Sequence, residues 1–214
     1  SSQCCSYYCQ RCGSSGKAEK QLIIPVIDWN NHPTICSAVE TMQGNGVVAY
    51  PTEAVWGLGC DPASEAAVHK ILQLKGRDVS RGLILIADHI DRFAPFLQGL
   101  DKDHLQRFES GYHKPTTWLV PHNGAAPLWI VGEHQTVALR VTVHPLAAAL
   151  CKSFAGPIVS TSANPQGLPA ATTALKVDSY FGDAIDYQTL GAVGDNENAS
   201  EIRHLLTGQV VRPG

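Results

Sequence analysis

The 214-residue sequence contains no apolar run near the roughly 20 residues that a helix needs to cross a bilayer. Its first residues form no apolar stretch of the kind a secretory signal uses. A soluble, cytoplasmic protein with no membrane contact is the expectation. The chain also lacks an excess of positive charge, with a formal net charge of −3. Residues 1–20 carry Arg11, Lys17 and Lys20 against Glu19, which leaves 13 basic and 18 acidic side chains on residues 21–214, net −5. That is not the overall charge of a strong nucleic-acid binder, although a local basic pocket remains open.

Several chemical motifs are missing. Neither G-x-G-x-x-G nor G-K-[ST] occurs, so dinucleotide and Walker-type phosphate loops are excluded. Nine histidines are scattered without H-E-x-x-H, and no G-x-S-x-G surrounds Ser160 or Ser162. His69 and His144 read as surface side chains. Four of the seven cysteines are Cys4, Cys5, Cys9 and Cys12, the last two in a C-x-x-C. With no second C-x-x-C and no nearby histidine, a protein-held metal is not expected. Residues 1–20 read instead as a disordered leader or appended extension, and residues 21–214 as the domain proper. Cys36, Cys60 and Cys151 read as buried thiols. No internal repeat is present.

At 44% hydrophobic content the chain can fill one full-sized core. Ile35, Val39 and Met42 mark one face of a helix that stops at Gly44. "GVVAYP" (46–51) is a strand. Asp61-Pro62 reads as a helix start, followed by Val68, Ile71, Leu72 and Lys75 at helical spacing. "LILIA" (83–87) is a buried strand and residues 89–97 a short helix. Strands follow at 116–121 and 136–141, a helix at 144–155, a strand from 157 and a helix at 172–182. "AIDYQTL" and "QVVRPG" hold the last strands. Such alternation predicts an α/β fold: a single domain with a twisted, open, mixed sheet flanked by helices, its ligand at strand ends.

Four places could carry chemistry. Lys75, Arg77 and Arg81 gather at a helix C-terminus, where they either offset the helix dipole or clamp an anion. "YPTEAVWGLGCDP" (50–62) reads as a strand, a polar turn at Thr52-Glu53, then flexible backbone at Gly57 and Gly59; it is either an ordinary loop or an approach to a ligand. Arg140 lies among Val137, Leu139, Val141 and Val143, so it is paired in the structure or emerges toward a ligand. "PIVSTSANPQGLPA" (157–170) ends an apolar strand in Ser160, Thr161, Ser162 and Asn164.

In order, "YPTEAVWGLGCDP", "LKGRDVSRGLILIA", "VALRVTVHPLAAALC" and "PIVSTSANPQGLP" resemble the YrdC/TsaC family of threonylcarbamoyl-AMP synthases in its short bacterial form. The resemblance covers about residues 24–214 and extends to "NASEIRHLLTGQVVRPG". It implies a single α/β domain around a deep positive cavity. It also implies a nucleotidyltransferase reaction: L-threonine, bicarbonate or CO2, and Mg2+-bound ATP give threonylcarbamoyl-AMP and pyrophosphate. The product would feed a tRNA-modifying transferase complex. The family's K-x-R and S-x-N signature falls on Lys75, Arg77, Ser162 and Asn164, the catalytic candidates. Arg77, Arg81, Thr136, Ser162 and Arg212 would meet ATP. Thr52, Arg140, Ser160 and Ser200 would hold threonine and its carbamate. The chain departs from the family where Lys114 replaces a glycine in "YHKPTT", at Ala54, where a threonine is frequent, and at Arg81-Gly82. A competing reading is a double-stranded-RNA-binding or ribosome-maturation factor, or at least a weak RNA contact. A carbamoyl-transfer domain of a hydrogenase-maturation enzyme is disfavoured because the further domains are missing.

Overall fold

The computed structural model describes residues 27–110, 115–196 and 198–214. The expectations for residues 1–20 and for Lys114 lie outside these.

Among the described residues one nine-stranded sheet runs in the order β7-β1-β2-β6-β3-β5-β4-β8-β9. Its strands are β1 (Val48–Pro51), β2 (Trp56–Gly59), β3 (Ile84–Ala87), β4 (Thr116–Pro121), β5 (Thr136–Val141), β6 (Ile158–Ser162), β7 (Tyr187–Gln188), β8 (Glu201–His204) and β9 (Val210–Arg212). Three parallel pairs (β1 with β7, β3 with β5, β4 with β8) stand among five antiparallel ones, so the sheet is mixed, as the sequence predicts.

Register decides what each face does. Ile84 lies opposite both Ala138 and Ser160, and Ile86 opposite Arg140 and Ile158. Because side chains alternate along a strand, Leu85, Leu139 and Val159 point the other way. They join a large core with Val68, Ile71 and Leu72 of helix α2 (Glu65–Lys75), Phe93 and Phe108. On the first face, Tyr50, Ile86 and Ile158 are covered by α1 (Pro33–Gln43) and α6 (Pro145–Phe154) through Ile35, Val39, Leu146 and Leu150. Each such side chain contributes roughly 1.5–3 kcal/mol by leaving water. The rest of that face carries Thr136, Ala138, Ser160 and Ser162 and forms the floor of a cavity.

The structure corrects some expectations. Gly57 and Gly59 belong to strand β2, not to a flexible loop. Helix α2 is capped by Ser64, whose hydroxyl accepts from Ala67 N; Asp61 instead accepts from Ala63 N in a preceding turn. Cys36 is exposed, whereas Cys60 and Cys151 are buried. His144 is buried rather than superficial: Nδ1 accepts from Ala147 N at the start of α6, and Nε2 lies 3.1 Å from Ala192 O. The first contact assigns the proton to Nε2. Burial lowers the His144 pKa, against the opposing pull of Ala192 O and Glu53, so the neutral ring is favoured. Helices α4 (Lys102–Ser110) and α5 (Leu128–Val131) and strand β8 were not anticipated, while α3 (Ala94–Leu97) closes the expected short helix. No described helix is long and apolar enough to cross a membrane.

Candidate functional site

The cavity encloses about 970 Å³. Its floor is the bare sheet face, and ligand-facing groups therefore stand on the face of the sheet as well as at strand ends. One wall is the 77–83 turn with residues 130–134; another comprises residues 52–55; a third is formed by residues 196 and 198–200 with β9.

The first wall follows from how α2 ends. Gly76 adopts φ +62° and closes the helix, its N–H bonding Gln73 O while Arg77 N bonds Leu72 O. The chain reverses at once, which swings Arg77 toward the cavity. Its Nη2 donates to Gly82 O at 2.8 Å and Arg81 O at 3.3 Å, while the buried Nε has no hydrogen-bond partner. Burial, then the Arg81 charge, lowers the Arg77 pKa.

On the floor and the opposite wall stand Arg140 and Arg212. Arg140 is 9% exposed, and its Nη2 lies 3.6 Å from Glu53 Oε2. Arg140 is thus both paired and cavity-lining, so the two readings of this strand cation hold together. Arg212 Nη2 donates to Ser200 O at 2.7 Å, and burial, then Arg140, lowers its pKa. Guanidiniums gathered around one cavity favour an incoming anion, which relieves their repulsion.

Hydroxyls complete the lining. Ser160, Thr161 and Ser162 come from β6 and Thr136 from β5. Ser200 shares a 2.8 Å bond with Thr117, and Thr52 donates to Val55 O at 2.7 Å. Ser162 donates to Asn164 Oδ1 at 2.6 Å, so toward a ligand its oxygen can serve as an acceptor.

Nine of the eleven sequence-nominated residues line this cavity: Thr52, Arg77, Arg81, Thr136, Arg140, Ser160, Ser162, Ser200 and Arg212. Lys75 and Asn164 do not; they stand behind its wall. The Lys75 ammonium donates to Ser162 O, to Asn164 O at 2.9 Å and to Asn164 Oδ1 at 3.2 Å. Asn164 Nδ2 in turn holds Leu168 O at 2.7 Å and Pro165 O at 3.1 Å. Lys75 thus fixes the end of β6 and places Ser162. Burial, then Arg77, brings its pKa down to about 8.

Sequence reasoning named Glu53 only as part of a polar turn and gave it no role. It is 6% exposed, with Oε1 accepting from Thr142 Oγ1 at 2.7 Å and Val143 N at 3.1 Å. Burial pushes its pKa up, but Arg140 and these donors outweigh burial and the net direction is down. The signal for it was the lone cation in β5, which demanded a buried anion without saying which.

Known proteins match this chain closely. Residues 40–214 match the Sua5/YciO/YrdC family model, described as telomere recombination. A threonylcarbamoyl-AMP synthase of Cellvibrio japonicus is 52% identical over 188 residues, 88% of this chain and 100% of that protein. One from Pseudomonas putida is 51% identical over 177 residues, 83% of this chain and 95% of that protein. The crystal structure of P. abyssi Sua5 complexed with L-threonine superposes with a TM-score of 0.78 at 28% identity, covering 84% of this chain and 54% of that one. This chain thus spans about half the length of Sua5.

Proposed function

From the premise that the chain belongs to the Sua5/YciO/YrdC family, we infer that it is an enzyme making threonylcarbamoyl-AMP and pyrophosphate from L-threonine, bicarbonate or CO2, and ATP. The product serves threonylcarbamoyladenosine modification of tRNA. The observation that carries the reading is one cavity in which four arginines, Arg77, Arg81, Arg140 and Arg212, face a hydroxyl-lined floor.

The chemistry needs fixed cations more than acid–base groups. The threonine amine adds to CO2 to give a carbamate, releasing a proton. A carbamate oxygen then attacks the α-phosphorus of ATP; the new O–P bond forms as the bond to the β-phosphate oxygen breaks and pyrophosphate departs. Two anions must meet, so preorganised positive charge and alignment supply most of the acceleration. We assign Arg140, Ser160, Ser200 and Thr52 to threonine and its carbamate. Arg77, Arg81, Thr136, Ser162 and Arg212 are assigned to ATP, with Lys75 and Asn164 positioning Ser162. A family likeness in which Sua5 binds L-threonine supports the first assignment. Mg2+ would enter on the triphosphate and offset its charge. The cavity's carboxylates are Glu53, already engaged, and the exposed Glu133, and no cluster of metal-ligating side chains occurs among the described residues. That donor set fits a metal carried by ATP. A transferase that consumes the adenylate is the proposed partner, in the cytoplasm.

The test is pyrophosphate release and product mass. With Mg-ATP and bicarbonate, the protein is expected to release pyrophosphate only when L-threonine is added, with threonylcarbamoyl-AMP seen by mass spectrometry. Orthophosphate release, or release without threonine, would overturn the reading.

A further inference from the structure

We propose that Glu53 is a positioning residue for the amino-acid substrate: its buried carboxylate, locked by Thr142 and Val143, fixes the Arg140 guanidinium that receives the substrate carboxylate. This rests on the reading of the cavity as an L-threonine site.

Arg140 cannot be buried in a sheet without a counter-ion, and removing one member of such a pair leaves the other charge stranded. Glu53 is the anion that meets it. The two carboxylate oxygens do different things. Oε1 takes both the Thr142 hydroxyl and the Val143 N–H, which anchors the group to the turn that follows β5. Oε2 faces Arg140 Nη2 at 3.6 Å and has no hydrogen-bond partner, and Arg140 Nε has none either. The contact is therefore a loose ion pair rather than a closed two-bond fork. It orients the guanidinium electrostatically and leaves donors free for an incoming carboxylate, the group that a planar guanidinium matches best.

Glu53 also reaches a second substrate-facing element through its backbone. Its carbonyl accepts from Asn196 N at 3.1 Å, and the preceding Thr52 carbonyl accepts from Gly194 N at 3.0 Å. A Cβ on Gly194 would sit 2.9 Å from Glu53 O, so the close approach needs glycine there. The wall that supplies Ser200 thus docks on the residue that orients Arg140. The nucleotide-facing Arg77 and Arg81 lie on another wall, where Arg77 bonds Arg81 O and Gly82 O, while the third nucleotide-facing arginine, Arg212, bonds Ser200 O. Losing the Glu53 charge is therefore expected to act mainly on threonine, with only a small effect on ATP through Arg212.

The experiment uses the full chain and measures pyrophosphate release while L-threonine and ATP are varied separately, with thermal melts of each variant. Glu53→Gln keeps the acceptor for Thr142 and Val143 but removes the charge. It is expected to raise the KM for L-threonine by roughly 10- to 100-fold, with kcat and the KM for ATP within about threefold of the unaltered protein. Glu53→Asp, which keeps the charge, is expected to recover part of that loss. Thr142→Val, which loosens Glu53 while leaving it ionised, should shift the same constant the same way by less. An unchanged threonine KM in Glu53→Gln overturns the proposal, as does an equal rise for ATP or a lowered melting temperature with normal kinetics. If Glu53→Gln does not fold, Thr142→Val decides by the same criterion. If the unaltered protein releases no pyrophosphate on adding threonine, the parent reading falls and takes this inference with it.

Discussion

Lys75 is 5% exposed, and its ammonium is enclosed by oxygens of Ser162 and Asn164. With a pKa near 8, it begins to lose its proton just above neutrality. Deprotonation removes one of three N–H donors and the charge that holds the end of β6. The rate is therefore expected to fall above about pH 8. The folded value lies below the ordinary lysine value of 10.5, so from about pH 8 upward the unfolded chain binds this proton better. The contribution of Lys75 to stability thus rises with pH in the window where activity falls. Lys75→Arg should abolish this alkaline limb, because arginine does not titrate there. It should also cost about tenfold at pH 7, because a planar fork cannot replace a point ammonium among three oxygens. Rate profiles and melts of both proteins from pH 7 to 9 check this; an identical alkaline limb in the variant would sink it. At this scale the sequence placed cations at the end of a helix and inside a strand. It could not say that Lys75 turns inward while Arg77, two residues on, turns to the cavity, because the reversal at Gly76 separates them.

Among the elements, β2 is the instructive one. It has two glycines in four residues, which reads as loop, yet it pairs with both β1 and β6. The reason is close approach. A Cβ on Gly59 would lie 2.4 Å from Val159 O and 2.7 Å from Tyr50 Cε1, whereas one on Gly57 would meet Thr161 O at 3.4 Å and Ser160 Oγ at 3.6 Å. Gly59→Ala is therefore expected to destabilise the fold by about 1–3 kcal/mol, while Gly57→Ala leaves stability nearly unchanged and crowds the substrate floor. Urea midpoints for the two variants test the contrast; equal midpoints would contradict it. Long periodic elements such as α1 and α6 were legible because their apolar spacing faces one core. Strand β8 and helix α4 were not: Glu201, Arg203 and His204 give no alternating apolar signal, and α4 buries only Phe108.

For the whole molecule, the cavity is basic while the domain's balance is acidic. A protein that neutralises 6–10 phosphates loses roughly 10³–10⁵ in affinity between 50 and 200 mM salt. Little retention of tRNA on filters is expected at either salt concentration, because the arginines are gathered in a pocket sized for small ligands rather than spread over a face. Tight retention at 50 mM salt that collapses at 200 mM would instead favour the RNA-binding alternative. The sequence by itself determined the long periodic elements, the mixed α/β class and, through four motifs in fixed order, the family and its reaction. Those are local or linear properties: periodicity, turn chemistry and motif succession survive without coordinates. Tertiary structure alone decided that Glu53 meets Arg140 across 87 residues of chain, that Ser160 and Ser162 share a sheet face with Arg140, and that Lys75 supports the wall instead of lining it. Such pairings depend on strand register and on which face two helices leave uncovered, and neither is encoded within any single segment.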